Sequence, residues 1–345
     1  MNILIPEKSK RPGVCYAVTD DGIEVPVIDV THPDFRIEIG GQELAAAVEN
    51  AVADVKNRSQ VPPAEQQRQL RELLQGSFLA PKIAAARGKV LDGMSTYFLK
   101  LGPDNLGEGY AKGIDRTIAG SLPCLSNRLR LQDMARLMTD SLAPLLMARP
   151  GRPLHLLNIA GGPGMDSLNT ILLMRKEHQD LLRSRTISIH LLDSDSAGPA
   201  FGARAASALQ AHDGPLHGLA LEVRHELYDW SSPGQLRELT LSLKARDVLI
   251  AASSEGGLFE YGSDEHIVAN LQAFHGASDA QAAFVGTVTR ADGSARILNE
   301  AGGAAIRLRG LDAFACLASA ARWRVARVVD SPLSHNMVLV KDKGR

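Results

Sequence analysis

Beyond about residue 150 the chain alternates short, nearly continuous apolar runs with stretches of helical spacing. The apolar runs fall at 154–160, 187–192, 219–227, 247–252 and 283–288, with helix-like sequence at 166–182 and 199–211 between the first of them. Near-continuous apolar strands separated by helices predict a parallel sheet buried on both faces. Two further β-rich runs, 323–329 and 337–340, are joined only by 330–336. That link is too short for a helical crossover, so the last pair is predicted antiparallel.

Before residue 150 the texture differs. Residues 14–18 and 23–30 are β-rich around Asp20-Asp21-Gly22, a hairpin turn signal. Residues 42–57 and 64–75 have helical spacing and are separated by Pro62-Pro63; another helical stretch covers about 79–100. A turn-rich loop follows at 101–109, and Ser126 reads as the N-cap of a long helix whose apolar face includes Met134, Leu137, Met138, Leu142 and Leu145. Pro150-Gly151 and Pro153 end it. This reads as an N-terminal β-hairpin segment (1–41), a helical cap or lid (42–150) and an α/β domain (151–345).

Composition narrows the function classes. The 345 residues carry 38 Lys and Arg against 39 Asp and Glu, so no net field attracts nucleic acid or an anionic membrane. No window approaches the roughly 20 apolar residues of a membrane span, and the N-terminus lacks the order of a signal peptide. Cys15, Cys124 and Cys316 are scattered without a CxxC pair, which suggests neither zinc nor a disulfide framework. A soluble, cytoplasmic protein is expected, with no nucleic-acid or membrane partner and a homo-oligomer left open.

The candidate chemistry starts where run 154–160 enters Gly161-Gly162-Pro163-Gly164. Residues without a side chain let the backbone turn sharply and approach a ligand, while the next helix points free amides at it. In an open α/β sheet the ligand lies beyond the carboxyl ends of the strands. Asp193 ends the second run, where a carboxylate can accept hydrogen bonds from both ribose hydroxyls. Asp229 follows the third in Tyr228-Asp229-Trp230, where an acid can take an adenine amino group and an aromatic can pack on the ring. Singly, each acid reads equally well as a helix cap or a solvated loop residue. At successive strand ends they point together to an adenosine-bearing ligand.

This arrangement resembles class I S-adenosylmethionine-dependent methyltransferases over about residues 150–342. Their first motif, acid-x-Gly-x-Gly-x-Gly, falls on Asn158-Ile159-Ala160-Gly161-Gly162-Pro163-Gly164, with Asn158 in place of the acid and Ala160 in place of the first glycine. Asp193 and Asp229 match the acids after strands two and three. A looser similarity, to the leucine carboxyl methyltransferase-like branch, rests on Gly164-Met165-Asp166 and on Glu255-Gly-Gly-Leu-Phe-Glu-Tyr261, within a polar segment beginning at Ser253. The resemblance implies an α/β, Rossmann-like sheet, mostly parallel with an antiparallel last strand and a helical N-terminal cap. It implies S-adenosylmethionine as cofactor, held by Asn158, Ala160, Gly161, Gly162, Gly164, Asp166, Asp193, Tyr228, Asp229, Trp230 and Ser253.

Methyl transfer from a sulfonium is an in-line displacement that sometimes needs a base. Glu255 and Tyr261 are candidates by motif, although Glu255 reads equally as a partner for the sulfonium or the methionyl amine. Tyr97 and Asn105 are candidates in the polar stretch 93–110, which reads either as a lid or pocket wall or as an ordinary surface loop. His225, His266 and His335 read first as structural. Arg116, Arg128 and Arg130 are possible cations for the methionyl carboxylate, unless they simply occupy an exposed helix face. No metal-ligand cluster is visible. Methyl transfer to a small metabolite, of the kind used in secondary metabolism, is the first expectation. Cyclisation of S-adenosylmethionine to azetidine-2-carboxylate with release of methylthioadenosine is the second, and a non-catalytic binding scaffold the third.

Overall fold

The protein is described here from a computed structural model covering residues 2–303 and 305–342. Strands β1 (Tyr16–Val18) and β2 (Glu24–Pro26) pair antiparallel around the Asp20-Asp21-Gly22 turn. The main sheet has seven strands: β3 (Leu154–Ile159), β4 (Thr186–Asp193), β5 (Ala220–Leu227), β6 (Leu249–Ser254), β7 (Ala283–Thr289), β8 (Trp323–Asp330) and β9 (Ser334–Lys341). Their order is β5-β4-β3-β6-β7-β9-β8. The first five are parallel, and β9 runs antiparallel to both β7 and β8.

Strands β3, β6 and β7 are buried along their whole length, as expected of strands covered on both faces. Strand β5 is not. It lies at the sheet edge, its residues alternate between covered and exposed, and Leu227 is 70% exposed. The expectation of burial on both faces therefore fails there, because an edge strand has no neighbour on one side and no helix over its outer face.

Helix Leu122–Ala148 packs beside helix Met165–Glu177 and against β7 and β9. It begins at Leu122 with Ser121 at the N-cap, not at Ser126, which sits buried inside the helix. Pro123 falls in the first turn, where a missing N–H costs nothing. The helical stretch 79–100 splits into Leu79–Ala85 and Gly93–Lys100. Gly88 turns left-handed between them (φ +69°), and Asp92 caps the second helix by accepting from the Ser95 amide at 2.7 Å. Helices Gly41–Ser59 and Pro63–Gly76 bury no residue.

One apolar cluster runs from Ala17 and Val25 through Tyr97 and Leu137 to Leu156, Ile189 and Val338, so the N-terminal region shares a core with one face of the sheet. A second cluster, around Phe259, Phe274, Phe314 and Trp323, fills the opposite face. Asn169 pins residues 28–30 to the sheet side. Its Oδ1 accepts from the Val30 amide at 2.7 Å, and its Nδ2 donates to the Ile28 carbonyl at 3.0 Å.

Candidate active site

The chain leaves β3 through three left-handed residues, Ala160 (φ +54°), Gly162 (φ +55°) and Gly164 (φ +66°). That conformation costs a non-glycine residue roughly 1–2 kcal/mol, so Ala160 is strained. Gly162 is pressed from two sides. A Cβ on it would lie 2.7 Å from Gly93 Cα, and a Cβ on Gly198 would lie 2.9 Å from Gly162 Cα. The cap is thus seated directly on the glycine turn. Gly162→Ala should cost about 2–3 kcal/mol by adding strain and forcing these backbones apart. Ala160→Gly should change stability by less than about 1 kcal/mol, because relieved strain and a looser unfolded chain oppose each other. Urea unfolding reads both, and equal losses would refute the close-approach argument.

The turn opens on a cavity of about 460 Å³, a volume suited to a small molecule. Strand order sets its floor. Asp193, Ser194 and Asp195 stand at the β4 end, Ala160–Pro163 at the β3 end, and Glu255, Gly256 and Gly257 at the β6 end. Two helical stripes of the cap form the roof: Gly93, Thr96, Tyr97 and Lys100, then Pro123, Ser126, Asn127 and Arg130. Spacings of three and four residues put each stripe on one helix face.

Asp193 ties two of these walls together. Its Oδ2 accepts from the Gly162 amide at 2.9 Å and its Oδ1 from the Asp195 amide at 3.0 Å. Burial pushes its pKa above the usual carboxylate range, against the pull of those amides.

The deepest part is ionic. Lys100 Nζ donates to the Glu255 carboxylate, 2.7 Å from Oε1 and 2.8 Å from Oε2. Arg130 donates from Nε to Glu255 at 3.1 Å and from Nη1 to Glu260 at 2.9 Å, where Thr289 Oγ1 also donates at 2.8 Å. All four charged side chains are below 10% exposed. Burial works against the Arg130 charge, but Glu260 and Glu255 outweigh it and raise its pKa. Behind Glu255, burial and then the Glu255 charge push Asp166 upward. Asn158 Nδ2 donates to Asp166 and to Ser167 Oγ, while its Oδ1 is unpartnered beneath Gly161. A Cβ on Gly161 would come within 1.8 Å of that oxygen, so Asn158 and Gly161 require each other.

Ala160, Gly161, Gly162, Asp193, Trp230, Glu255, Tyr261, Tyr97 and Arg130 all line the cavity. The Tyr97 hydroxyl, however, donates to the Pro26 carbonyl at 2.6 Å, and burial raises its pKa, so it serves as wall and not as base. Burial, then Glu260, pushes Tyr261 up to about 12. Asn158, Gly164, Asp166 and Ser253 stand outside the lining. Gly164 is there for close packing, since a Cβ would strike Leu191.

Three expected residues are elsewhere. Asn105 Nδ2 donates to the Asp34 and Leu101 carbonyls, because the loop after helix Gly93–Lys100 turns away from the sheet. The Tyr228 hydroxyl donates to Asn270 Oδ1 in the core. Asp229 is exposed and accepts from the amide and hydroxyl of Ser231, a local Asx turn that spends its carboxylate. Arg116 is likewise spent on the Pro103 and Leu106 carbonyls. His225 contacts the Asp193 carbonyl and His335 the Asp330 carboxylate; with His266, which follows the Ser263 cap, they lie outside the cavity.

No protein-family model matches the chain, and no curated protein sequence matches it. A solved possible exported protein from Bordetella parapertussis is 17% identical over 88% of this chain and 97% of its own, with a TM-score of 0.56. The Burkholderia thailandensis 1,6-didemethyltoxoflavin-N1-methyltransferase, solved with 1,6-didemethyltoxoflavin and S-adenosylhomocysteine, is 15% identical over 59% of this chain and 78% of its own, at a TM-score of 0.34. The pyocyanin biosynthetic protein PhzM is 14% identical over 88% and 74%, at 0.42. The strand order with β9 inserted antiparallel between β7 and β8 decides the architecture. The fold is that of the class I methyltransferases.

Within that fold the sequence reading missed Lys100, Glu260, Ser126 and the wall after β7. Lys100 carried a usable signal, since it completes the 93/96/97/100 stripe on one helix face. Glu260 pairs with a residue 130 positions away, which no local pattern announces. Among the described residues no group of three or more His, Cys, Asp or Glu could hold a metal, and no helix is long and apolar enough to cross a membrane.

Proposed function

We propose that the protein binds S-adenosylmethionine in this cavity and transfers its methyl group to a small molecule. The observation that carries the reading is Asp193, a half-buried carboxylate at the end of β4 that holds the Gly162 amide and faces the same cavity as Glu255. The donor set suits the ligand. Asp193 would accept from the ribose hydroxyls, and Trp230 and Ser194 flank the space for the base. The methionyl end is a zwitterion, and the Lys100–Glu255 pair offers it one charge of each sign. Arg130 spends two of its five N–H donors on Glu255 and Glu260, and Lys100 two of its three on Glu255, so both keep donors for the methionyl carboxylate.

Bound S-adenosylmethionine supplies an electrophilic methyl on a sulfonium. The chain's part is to bind, orient and exclude water. The glycine contacts at Gly93 and Gly198 hold the turn rigid, and the cap roofs the site. Cyclisation needs a neutral methionyl amine, yet the Glu255 carboxylate on the cavity wall would favour the charged ammonium. This favours transfer over cyclisation. Incubation without an acceptor separates the two. Methylthioadenosine without S-adenosylhomocysteine means cyclisation, and an inert mixture that binds the cofactor agrees with transfer.

Titration calorimetry tests the binding step. Asp193→Ala should weaken S-adenosylmethionine binding at least about tenfold, as expected on losing hydrogen bonds to a charged group. Asp229→Ala should leave it within about twofold, since that carboxylate is exposed and stands outside the cavity lining. Unchanged affinity in Asp193→Ala would sink the assignment.

A further inference from the structure

The cavity reaches further than the cofactor reading needs. Strands β4, β3, β6, β7 and β9 are consecutive in the sheet. Three spacings of about 4.8 Å put the β7 end roughly 14 Å from Asp193. At that far end the lining changes character to Tyr261, Leu298, Asn299, Ile306, Leu333 and Ser334. Helix Gly293–Gly302 and the residues after it form one jaw of this chamber, and the loop around Val90 and Leu91 forms the other. The Gly88 amide donates to the Gly303 carbonyl at 3.0 Å and the Ala305 amide to the Lys89 carbonyl at 3.3 Å, which clasp the two jaws, and the Arg307 amide donates to the Glu260 carbonyl at 2.9 Å, which ties the first jaw to the segment after β6.

Among the described residues, this end of the lining has no histidine and no uncommitted carboxylate, since Asp92 beside Leu91 accepts from the amide and hydroxyl of Ser95. Glu255 and Glu260 are held by Lys100, Arg130 and Thr289, and Tyr261 is pushed to a higher pKa by burial. The chamber therefore offers no free base to remove a proton from an entering molecule.

Resting on the cofactor reading, we propose that this chamber is the acceptor site, and that it takes an uncharged molecule methylated on a nitrogen whose lone pair is already free. The nitrogen pair forms the N–CH3 bond as the S–CH3 bond breaks, and the breaking pair stays on sulfur. The positive charge moves from sulfonium to nitrogen. No proton is exchanged and no other reactant is needed.

Two probes of like shape test this on the full chain: isoquinoline, whose nitrogen bears no proton, and 2-naphthol, which must lose one. With methyl-labelled S-adenosylmethionine at pH 7, N-methylisoquinolinium should form at least tenfold faster than the naphthyl ether. Saturation-transfer NMR of isoquinoline without cofactor should show binding that Ile306→Trp removes, while the variant's S-adenosylmethionine affinity stays within twofold. Leu333→Trp, from another wall, repeats the test if Ile306→Trp does not fold. Faster ether formation overturns the proposal, as does isoquinoline binding that both variants leave intact. Cofactor binding without transfer to either probe also overturns it. Loss of cofactor binding in the wild type fails the parent reading instead. The NMR arm then decides the chamber alone, and binding insensitive to both variants removes it.

Discussion

Glu255→Ala should destabilise the protein by about 3–5 kcal/mol, as found when one partner of a buried ion pair is removed. Glu255 accepts from both Lys100 and Arg130, with all three side chains below 10% exposed. Its loss leaves the Lys100 ammonium buried without its carboxylate, while Arg130 keeps only Glu260. Desolvation of an unpaired ammonium, more than the lost attraction, sets the size of the effect. Urea unfolding measures it, and a loss below about 1 kcal/mol would mean that water reaches Lys100 in solution. Lys100→Met combined with Glu255→Leu should be less destabilised than the sum of the single changes, because an apolar pair can replace a buried ion pair. Such a rescued double variant should fold and still fail to bind S-adenosylmethionine. That dissociates the stability role of the pair from the proposed binding role.

What could be read in the sequence follows the range of the interactions. The glycine turn, the strand succession and the antiparallel ending depend on neighbouring residues, and they appear in the structure at their expected places. Side-chain roles fared differently. Asp193 ends β4 and Asp229 lies two residues past the end of β5, and only Asp193 faces the cavity. Both accept from an amide two residues on, but Asp193 also holds the Gly162 amide of the glycine turn, whereas the exposed Asp229 gives its second oxygen to the Ser231 hydroxyl. Tyr97 sits on the right helix face, but its hydroxyl answers the Pro26 carbonyl, 71 residues away. Lys100 and Glu255 are 155 residues apart and meet only because the cap seats Gly93 on Gly162. No periodicity encodes such a meeting. The open face of β5 was legible, because Glu222, Arg224 and Glu226 alternate with Leu221, Val223 and His225, the pattern of a half-covered strand and not of one buried on both faces.

Acid should weaken the fold through a second buried pair, remote from the cavity. His155 on β3 and His190 on β4 lie 2.9 Å apart, Nδ1 to Nε2, and His190 Nδ1 lies 3.1 Å from Glu226 Oε1. A proton on His190 Nδ1 answers the carboxylate, which leaves Nε2 to accept from His155 Nδ1–H. Burial, then the charge of His190, lowers the His155 pKa from 6.5 to about 4. Burial lowers that of His190 too, with Glu226 opposing. A folded pKa below the unfolded one means that the unfolded chain binds more protons between the two values. The stability from a neutral His155 is therefore complete above pH 6.5 and lost as pH falls toward about 4. Integrating that single shift gives a loss of about 2 kcal/mol between pH 7.5 and 5. Other groups titrate over the same range, so the useful quantity is a difference between proteins. His155→Leu removes the titrating group and leaves His190 Nε2 without its donor, at a cost of about 1–3 kcal/mol that changes little with pH. Its stability should fall about 2 kcal/mol less than that of the wild type over this interval. Parallel pH profiles for the two proteins would show that His155 already ionises freely in the fold.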